Sequence, residues 1–172
     1  MPVTRRLFQN NAPQPIEWRA AGDAAPLPLT HTRDDIAGLI PHAGAMCLLD
    51  GVVHWDLAGI RCVSRTHLDM QNPLRAGGEL AALCGIEYAA QAMAIHGGLS
   101  GAVGSRPKAG YLVSVRNVIC RQHRLDNLAG DLIVDAARLM GDQSRVVYEF
   151  ALRAGAVEVL SGRATVILDA AP

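Results

Sequence analysis

The sequence lacks a surplus of charge of either sign. Its 16 Lys and Arg residues balance 16 Asp and Glu residues, and only 19% of all residues are charged. Aromatic residues are also scarce, at 4%. A nucleic-acid-binding surface needs a basic stripe, often with aromatic side chains on which bases stack. The composition therefore argues against nucleic acid as a partner.

Other signals are missing as well. No uninterrupted apolar run is long enough to cross a membrane, and residues 1–26 contain no apolar segment typical of a secretory signal. The four cysteines form no Cys-x-x-Cys pair, and no His, Cys or Asp spacing typical of metal ligands occurs. We therefore expect reduced core thiols, a cytoplasmic location, no membrane contact and no bound metal.

Hydrophobic residues make up 50% of the 172 residues, which is enough for a substantial core and indicates one domain. Residues 1–32 are rich in Ala, Pro, Asn and Gln without a sustained period, so we interpret them as an extension. The domain is predicted to span residues 33–172. It begins with a short helix for which Thr32 is a good N-cap, and Pro41 ends that helix.

A hairpin and a helix are predicted next. Residues 46–55 and 60–66 have the β-branched composition of strands, with a turn at residues 56–59. Residues 79–96 are rich in Ala, Leu, Met and Ile, and Gly97-Gly98 follows them. This helix is apolar on nearly all sides, which indicates that it is buried.

Four strand-like runs follow Pro107, each rich in Val or Ile and partly alternating apolar with polar residues. They cover residues 110–121, 131–140, 144–153 and 157–168. One helix cannot cover six strands unless the sheet curls around it. The predicted fold is therefore α+β, with an antiparallel sheet wrapped around a long central helix.

Two polar residues interrupt the apolar helix. Glu87 and Gln91 are four residues apart, so they share one helix face, and the Gln91 amide can hydrogen-bond the Glu87 carboxylate. A carboxyl group held in an apolar cleft suits acid–base chemistry. The alternative is that this face meets solvent or another subunit and that Glu87 has no chemical role.

A carboxyl group used for acid–base catalysis needs a base as partner, and the chain has six histidines. His42 stands out, because it follows Pro41 in a loop between the short helix and the first strand, where catalytic groups concentrate. His96 closes the predicted helix, where the helix dipole favours a cation. We therefore interpret His96 as a helix-end residue and His42 as the candidate base.

The segment "IPHAGAMCLLDGV" followed by "GIEYAAQAMA" resembles the hotdog-fold 3-hydroxyacyl-acyl-carrier-protein dehydratases, with the nearest likeness to those of aryl-polyene pathways. That family has Pro-His before its first strand, Leu-Leu-Asp or Leu-Leu-x-Asp within it, and Glu-Ala-x-Ala-Gln on its central helix. The matching residues are Pro41, His42, Leu48, Leu49, Asp50, Glu87 and Gln91. The likeness extends from about residue 35 to 168.

The resemblance implies an activity that needs no metal or cofactor. His42 would remove the C2 proton of a 3-hydroxyacyl thioester, and Glu87 would protonate the departing 3-hydroxyl group, which leaves a trans-2-enoyl thioester and water. In the family two subunits pair, so that the histidine of one faces the acidic residue of the other. The implied assembly is a homo-oligomer, at least a dimer.

The resemblance also suggests supporting residues. Backbone N–H groups near the helix start would polarise the thioester carbonyl, which makes Gly77, Gly78 and Gly85 candidate substrate-binding residues. Gln91 and Asp50 are candidate supporting residues, and for Asp50 a purely structural hydrogen bond is the competing interpretation. The chain departs from the family because "MQNPLRAGGELAALC" replaces the usual Phe-Pro-Gly-x-Pro loop.

Three other functions stay open: a hotdog thioesterase, a non-catalytic hotdog subunit of a dehydratase heterodimer, and an acyl-binding module. The substrate carrier is expected to be acyl carrier protein. A cluster of basic residues can attract such an acidic partner, or can be ordinary solvated strand-edge charge. Its members are Arg106, Lys108, Arg116, Arg121 and Arg124.

Overall fold

A computed structural model of the chain describes residues 27–101, 110–142 and 144–168. One antiparallel sheet of seven strands carries a single long helix across one face, in strand order β1-β2-β3-β5-β6-β7-β4. The predicted α+β architecture is therefore confirmed. Among the described residues, no helix is long and apolar enough to span a membrane.

The strands follow the predicted order along the chain. Their bounds are His31–Thr32 (β1), Gly51–Asp56 (β2), Gly59–Ser64 (β3), Gly110–Cys120 (β4), Leu132–Gly141 (β5), Arg145–Ala154 (β6) and Val157–Leu168 (β7). The four strands predicted after Pro107 are confirmed as β4 to β7. β4 does not join the β5–β6–β7 meander directly, because it crosses over to pair with β7 at the sheet edge.

The short helix α1, Arg33–Ala37, begins as predicted at Thr32. The Thr32 side chain and the Asp35 carboxylate form a reciprocal capping box, which satisfies free N–H groups of the first turn. Ile36 on this helix is 1% exposed and joins the core. β1 pairs with β2, so residues 31 and 32 belong to the sheet, and the domain boundary at residue 33 stays a prediction. The rest of the predicted extension, residues 1–26, lies outside the described residues.

The central helix α2, Gly85–Ser100, begins six residues later than predicted and continues past Gly97-Gly98. A short 3-10 turn, Ala82–Cys84, precedes it. Leu80 and Ala82 are excluded from the helix because their backbones bond to the chain before β5: the Ala82 N–H donates to the His123 carbonyl at 3.0 Å, and the Leu125 N–H donates to the Leu80 carbonyl at 2.8 Å. The 16 residues of α2 span about 24 Å.

The first hairpin strand also begins later than predicted, at Gly51 rather than residue 46. Residues 44–46 form a 3-10 turn, and the backbone of Leu48 bonds to side chains instead of a neighbouring strand. The predicted turn at residues 56–59 is confirmed, with the Asp56 carboxylate accepting the N–H groups of Ala58 and Gly59. The consequence is a non-regular loop of residues 41–50, here called the His42 loop.

The core lies between α2 and the sheet face formed by β3, β5 and β6. Tyr88, Ala89, Ala92 and Ile95 of α2 are completely buried there. By contrast, β4 leaves apolar side chains in solvent at the opposite sheet edge. Tyr111, Leu112, Val113, Val118 and Ile119 are each at least 37% exposed.

Candidate functional site

A cavity of about 880 Å³ lies beside α2. Residues of β4, β5, β6 and β7 line it on the sheet side, residues of α2 line it as well, and Pro41 and His42 of the His42 loop complete the lining. Apolar residues dominate the walls, among them Leu39, Met93, Val146 and Val166. Its size and lining are those of a site that holds a small organic group.

The two predicted catalytic residues meet at this cavity. The His42 Nε2 atom lies 3.0 Å from the Glu87 Oε1 atom, and both side chains line the cavity wall. The side chains are 29% and 33% exposed, so each is reachable from the cavity and still largely covered by protein. A base and an acid in direct hydrogen-bond contact can exchange a proton with each other and with a bound molecule.

This contact forms within one chain. The expectation that His42 of one subunit faces Glu87 of another concerns an assembly of two chains and stays a prediction. Within the single chain, the His42 loop is bonded to α2 at Met46 and Leu48. Those bonds bring His42 over the first turn of its own helix, where Glu87 lies.

Gln91 contacts both Glu87 and the loop that carries His42. Its amide nitrogen donates to Glu87 Oε1 at 3.1 Å and to the Met46 carbonyl at 2.8 Å, while its amide oxygen accepts the Leu48 N–H at 2.9 Å. Gln91 is fully buried. The predicted Gln91–Glu87 hydrogen bond is thus confirmed, and the same amide also fastens the His42 loop to α2.

A second buried polar network holds Leu48 from the other side. The Leu48 carbonyl accepts the Ser64 hydroxyl at 2.6 Å and the Thr66 hydroxyl at 2.7 Å. Tyr88 Oη lies 3.0 Å from Thr66 Oγ1 and accepts the Asn72 amide N–H at 2.9 Å. Burial raises the pKa of Tyr88, so this phenol stays protonated. Sequence reasoning missed these residues, because Ser, Thr and Asn have no periodicity that indicates burial.

Asp50 ties down the far end of the His42 loop. Its Oδ1 accepts Arg33 Nη1 at 2.9 Å, and its Oδ2 accepts the Arg65 backbone N–H at 2.6 Å. Arg33 Nη2 also donates to the Cys47 carbonyl. Asp50 is absent from the cavity lining. The structural interpretation of Asp50 therefore fits its contacts, and it supports the site only through the loop.

The three candidate substrate-binding glycines are not brought to the cavity. Gly77 and Gly78 lie in an exposed loop with φ values of 60° and 81°, which favour glycine there. Gly85 begins α2, but a Cβ at Gly85 would lie 2.5 Å from Leu160 Cδ2 and 2.8 Å from Leu152 Cδ2. Close packing against the sheet is therefore the reason for glycine at 85, and none of the three lines the cavity.

The wall distant from Glu87 carries polar residues that sequence reasoning did not assign to the site. His96 is 1% exposed, so the interpretation of His96 as a cationic helix end is wrong. Its Nε2 lies 2.8 Å from the Asp56 carbonyl and therefore carries the proton, which leaves Nδ1 to accept the Tyr148 hydroxyl at 2.8 Å. Burial lowers the pKa of His96 and raises that of Tyr148 to about 12, so both are neutral.

The predicted basic cluster is partly neutralised. Arg121 Nε lies 3.2 Å from Glu158 Oε1. Arg124 pairs with Asp126 at 2.6 Å and with Glu79 at 2.5 Å, and its guanidinium holds the pKa of the Asp126 carboxyl well below its usual range. Arg106 and Lys108 lie outside the described residues. Over residues 27–101, 110–142 and 144–168, no group of three His, Cys, Asp or Glu side chains could hold a metal ion.

Comparison with known proteins gives one family and one fold. The sequence profile of the ApeP-like family, described as ApeP dehydratase, matches residues 34–171. No curated protein matches the chain. Among solved structures, the dehydratase heterocomplex ApeI:P from Xenorhabdus doucetiae is similar, with a TM-score of 0.68 at 19% identity, covering 77% of this chain and 90% of that one.

Two thioesterase structures share the same fold. A thioesterase from Haemophilus influenzae has a TM-score of 0.58 at 15% identity and covers 81% of this chain and 91% of its own. A putative thioesterase from Silicibacter has a TM-score of 0.57 at 12% identity, with 83% and 94% covered. At these identities the likeness shows the fold, which is the predicted hotdog fold.

Proposed function

We propose that this chain, which belongs to the ApeP-like dehydratase family, removes water from a 3-hydroxyacyl thioester and releases the trans-2-enoyl thioester. The observation that carries the proposal is the His42–Glu87 contact of 3.0 Å at the wall of a largely apolar cavity. The apolar lining suits an acyl group, and the polar pair is the acid–base machinery that the elimination needs.

In the reactive state His42 is neutral and Glu87 is protonated. His42 Nε2 takes the C2 proton, the electrons of that C–H bond form the C2–C3 double bond, and the C3–O bond breaks. Glu87 gives its proton to the departing oxygen, which leaves as water. The pair is then imidazolium and carboxylate, and a proton moving from His42 Nε2 to Glu87 across their direct contact restores the starting state.

Gln91 positions Glu87 in this mechanism. Its amide nitrogen donates to Oε1, the oxygen that also faces His42. The arrangement fixes the carboxyl group before substrate binds, which is the kind of preorganisation that accelerates proton transfer.

The assay that tests the proposal uses 3-hydroxyacyl-N-acetylcysteamine thioesters and follows enoyl absorbance and free thiol in the same sample. Enoyl formation without thiol release is expected. His42→Ala and Glu87→Gln should each lower kcat by about 100- to 10,000-fold. His54→Ala is the matched control, because His54 also lies near a carboxylate, Asp56, at 3.7 Å, but is exposed and outside the cavity lining. Near wild-type kcat in either test variant would refute the assigned role.

A hotdog thioesterase is the second candidate, because thioesterases share this fold. In that reaction Glu87 would activate a water molecule, and thiol release without enoyl product would be the outcome. A non-catalytic subunit would give neither product. In that case the chain is assayed again together with a hotdog partner, since one similar structure is described as a dehydratase heterocomplex.

We propose that acyl carrier protein carries the substrate and that this protein is located in the cytoplasm. The experiment compares an acyl-carrier substrate with the N-acetylcysteamine ester while the salt concentration rises. The Debye length is about 10 Å at about 0.1 M salt and about 3 Å at about 1 M, so added salt weakens the attraction between charged surfaces. A fall in kcat/KM for the carrier substrate alone supports carrier recognition. Equal responses contradict it. Arg116, exposed on β4 and free of the Asp126 network, is the residue to replace first.

We propose that the purified protein is a homo-oligomer of at least two chains. The apolar residues exposed along the β4 edge support it, because an open strand edge with apolar side chains is a surface on which another strand can pair. Light scattering at micromolar concentration tests it, and a monomer would contradict it.

A further inference from the structure

The His42 loop, residues 41–50, contains only a 3-10 turn as regular structure. Gly44 in this turn has φ 58°, a conformation that glycine adopts without strain. Such a loop does not hold a catalytic side chain in place by its own backbone bonds. Apart from the Asp50 N–H, which donates to the Val63 carbonyl at 2.9 Å, the described hydrogen bonds between this loop and the rest of the domain involve side chains.

Gln91 fastens the loop from the helix side, and Arg33 fastens it from the outside. The Arg33 guanidinium spans two acceptors, Asp50 Oδ1 at 2.9 Å through Nη1 and the Cys47 carbonyl through Nη2. Cys47 is in turn linked to the catalytic residue, because its thiol donates to the His42 carbonyl at 3.3 Å. Two contacts therefore separate the guanidinium from His42.

Arg33 is itself well anchored. It is the first residue of α1, whose start is fixed by the Thr32–Asp35 capping box, with Thr32 N–H and Oγ1 both 2.7 Å from Asp35 Oδ2. Ile36 on the same helix is buried in the core. A guanidinium can bridge two acceptors in fixed geometry, whereas an ammonium group offers a single point of charge.

From these contacts we propose that Arg33 is a positioning residue for the reaction, holding the His42 loop so that His42 meets Glu87. The inference rests on the proposed function for its meaning in catalysis. Its structural part, that Arg33 maintains the His42–Glu87 contact, stands apart from activity. Arg33 and Asp50 are 41% and 34% exposed, so their pairing adds little to the free energy of unfolding, and its effect is expected on the loop.

The experiment has a spectroscopic arm and a kinetic arm. The His42 imidazole signal is assigned by NMR from its loss in His42→Ala. Replacing Glu87 by Gln should shift that signal in the wild-type background, because the two side chains touch. In the Arg33→Met background the same replacement is expected to shift it by less than half as much. This comparison reports the contact without requiring any turnover.

The kinetic arm uses a 3-hydroxyoctanoyl-N-acetylcysteamine thioester. Arg33→Met is expected to lower kcat about tenfold or more, because small misplacements of catalytic groups are costly, while KM stays within about twofold. Arg33→Lys, which keeps charge and loses the two-acceptor bridge, is expected to recover only part of kcat. Arg163→Met is the matched control, since it breaks an exposed ion pair with Glu149 on β6 and β7.

The outcomes separate the two hypotheses. The positioning role is overturned if Glu87→Gln shifts the His42 signal as much in both Arg33 variants as in the wild-type background. It is also overturned if kcat is the same in the Arg33 variants as in the wild type. If the wild-type protein shows no dehydration of this thioester, the proposed function fails in that assay, and the NMR arm still decides whether Arg33 maintains the contact. If Arg33→Met fails to fold, as judged by its circular dichroism, Arg33→Lys decides the question in both arms.

Discussion

The substitution Gln91→Leu tests the central feature of the site. Leucine has nearly the same size as glutamine but can neither donate nor accept hydrogen bonds. Three contacts end at the Gln91 amide: the Leu48 N–H, the Met46 carbonyl and the Glu87 carboxylate. The first two belong to the backbone of the His42 loop, so the substitution leaves a donor and an acceptor of that loop without partners.

The expected cost follows from those two backbone groups. The buried Leu48 N–H costs about 1–3 kcal/mol in the free energy of unfolding when it loses its partner, and the part-buried Met46 carbonyl adds less, so the sum is about 1–4 kcal/mol. Glu87 is 33% exposed and can bond to water instead, so its share is left out. For a domain of this size the melting temperature should fall by about 3–15 °C.

Urea denaturation measures the effect, with an unchanged m-value required for a valid comparison. Gln71→Leu is the control, because Gln71 is exposed and the chemical change is the same. A loss below about 1 kcal/mol would refute the reasoning, since it would mean that the loop does not depend on Gln91. Gln91→Glu adds a sharper test: a carboxyl group there would contact Glu87, so stability should fall as pH rises and the second carboxylate ionises.

Three further predictions follow from the described contacts. Mixing inactive His42→Ala with inactive Glu87→Gln separates the two arrangements of the pair. If the contact seen within one chain is the working one, no activity is restored, whereas substantial recovery would show that the pair acts across subunits. Burial lowers the pKa of His96 below its usual 6.5, so the contribution of neutral His96 to stability is present above that pH and lost below it. As the pH is lowered from about 7.5 to about 5.5, the urea midpoint should therefore fall, and it should fall less in His96→Gln. Asp126→Asn should lower the urea midpoint, because it removes the carboxylate that pairs with the nearly buried guanidinium of Arg75. Glu149→Gln removes the carboxylate of the exposed pair with Arg163 and should leave the midpoint almost unchanged.

Sequence patterns predicted the parts of the fold that depend on local periodicity. The meander strands, the Thr32 cap and the turn at residues 56–59 each have a local signal, and each lies where it was expected. The start of α2 has no such signal. Residues 79–81 have helix-compatible side chains, but the backbones of Leu80 and Ala82 bond to Leu125 and His123, more than forty positions later in the chain, and this keeps the segment out of the helix.

The helix end illustrates the same limit. Gly97-Gly98 resembles a stop signal, yet both residues remain in α2. A Cβ at Gly98 would lie 3.2 Å from Leu39 Cδ2, so glycine there lets the segment before the His42 loop pack against the helix. The glycine serves a tertiary contact rather than a helix cap, and a contact of that kind is invisible in a local sequence pattern.

Local sequence patterns likewise predicted only part of the candidate site. Glu87 and Gln91 were found because a four-residue spacing on a helix fixes their neighbourhood. The loop that brings His42 to them is held by Arg33, Ser64 and Thr66, whose partners are backbone carbonyls. A backbone carbonyl is present at every residue, so no residue type in the sequence marks it as a partner.

The position of β4 bears on what a partner chain contributes. Tyr111 and Leu112 both line the cavity and are exposed along this sheet edge. A strand that pairs with β4 would therefore lie beside the cavity opening, while His42 and Glu87 already meet within one chain. In the proposed dehydratase, such a partner would cover the apolar wall beside the acyl group, and through that wall it would set which acyl groups enter the cavity.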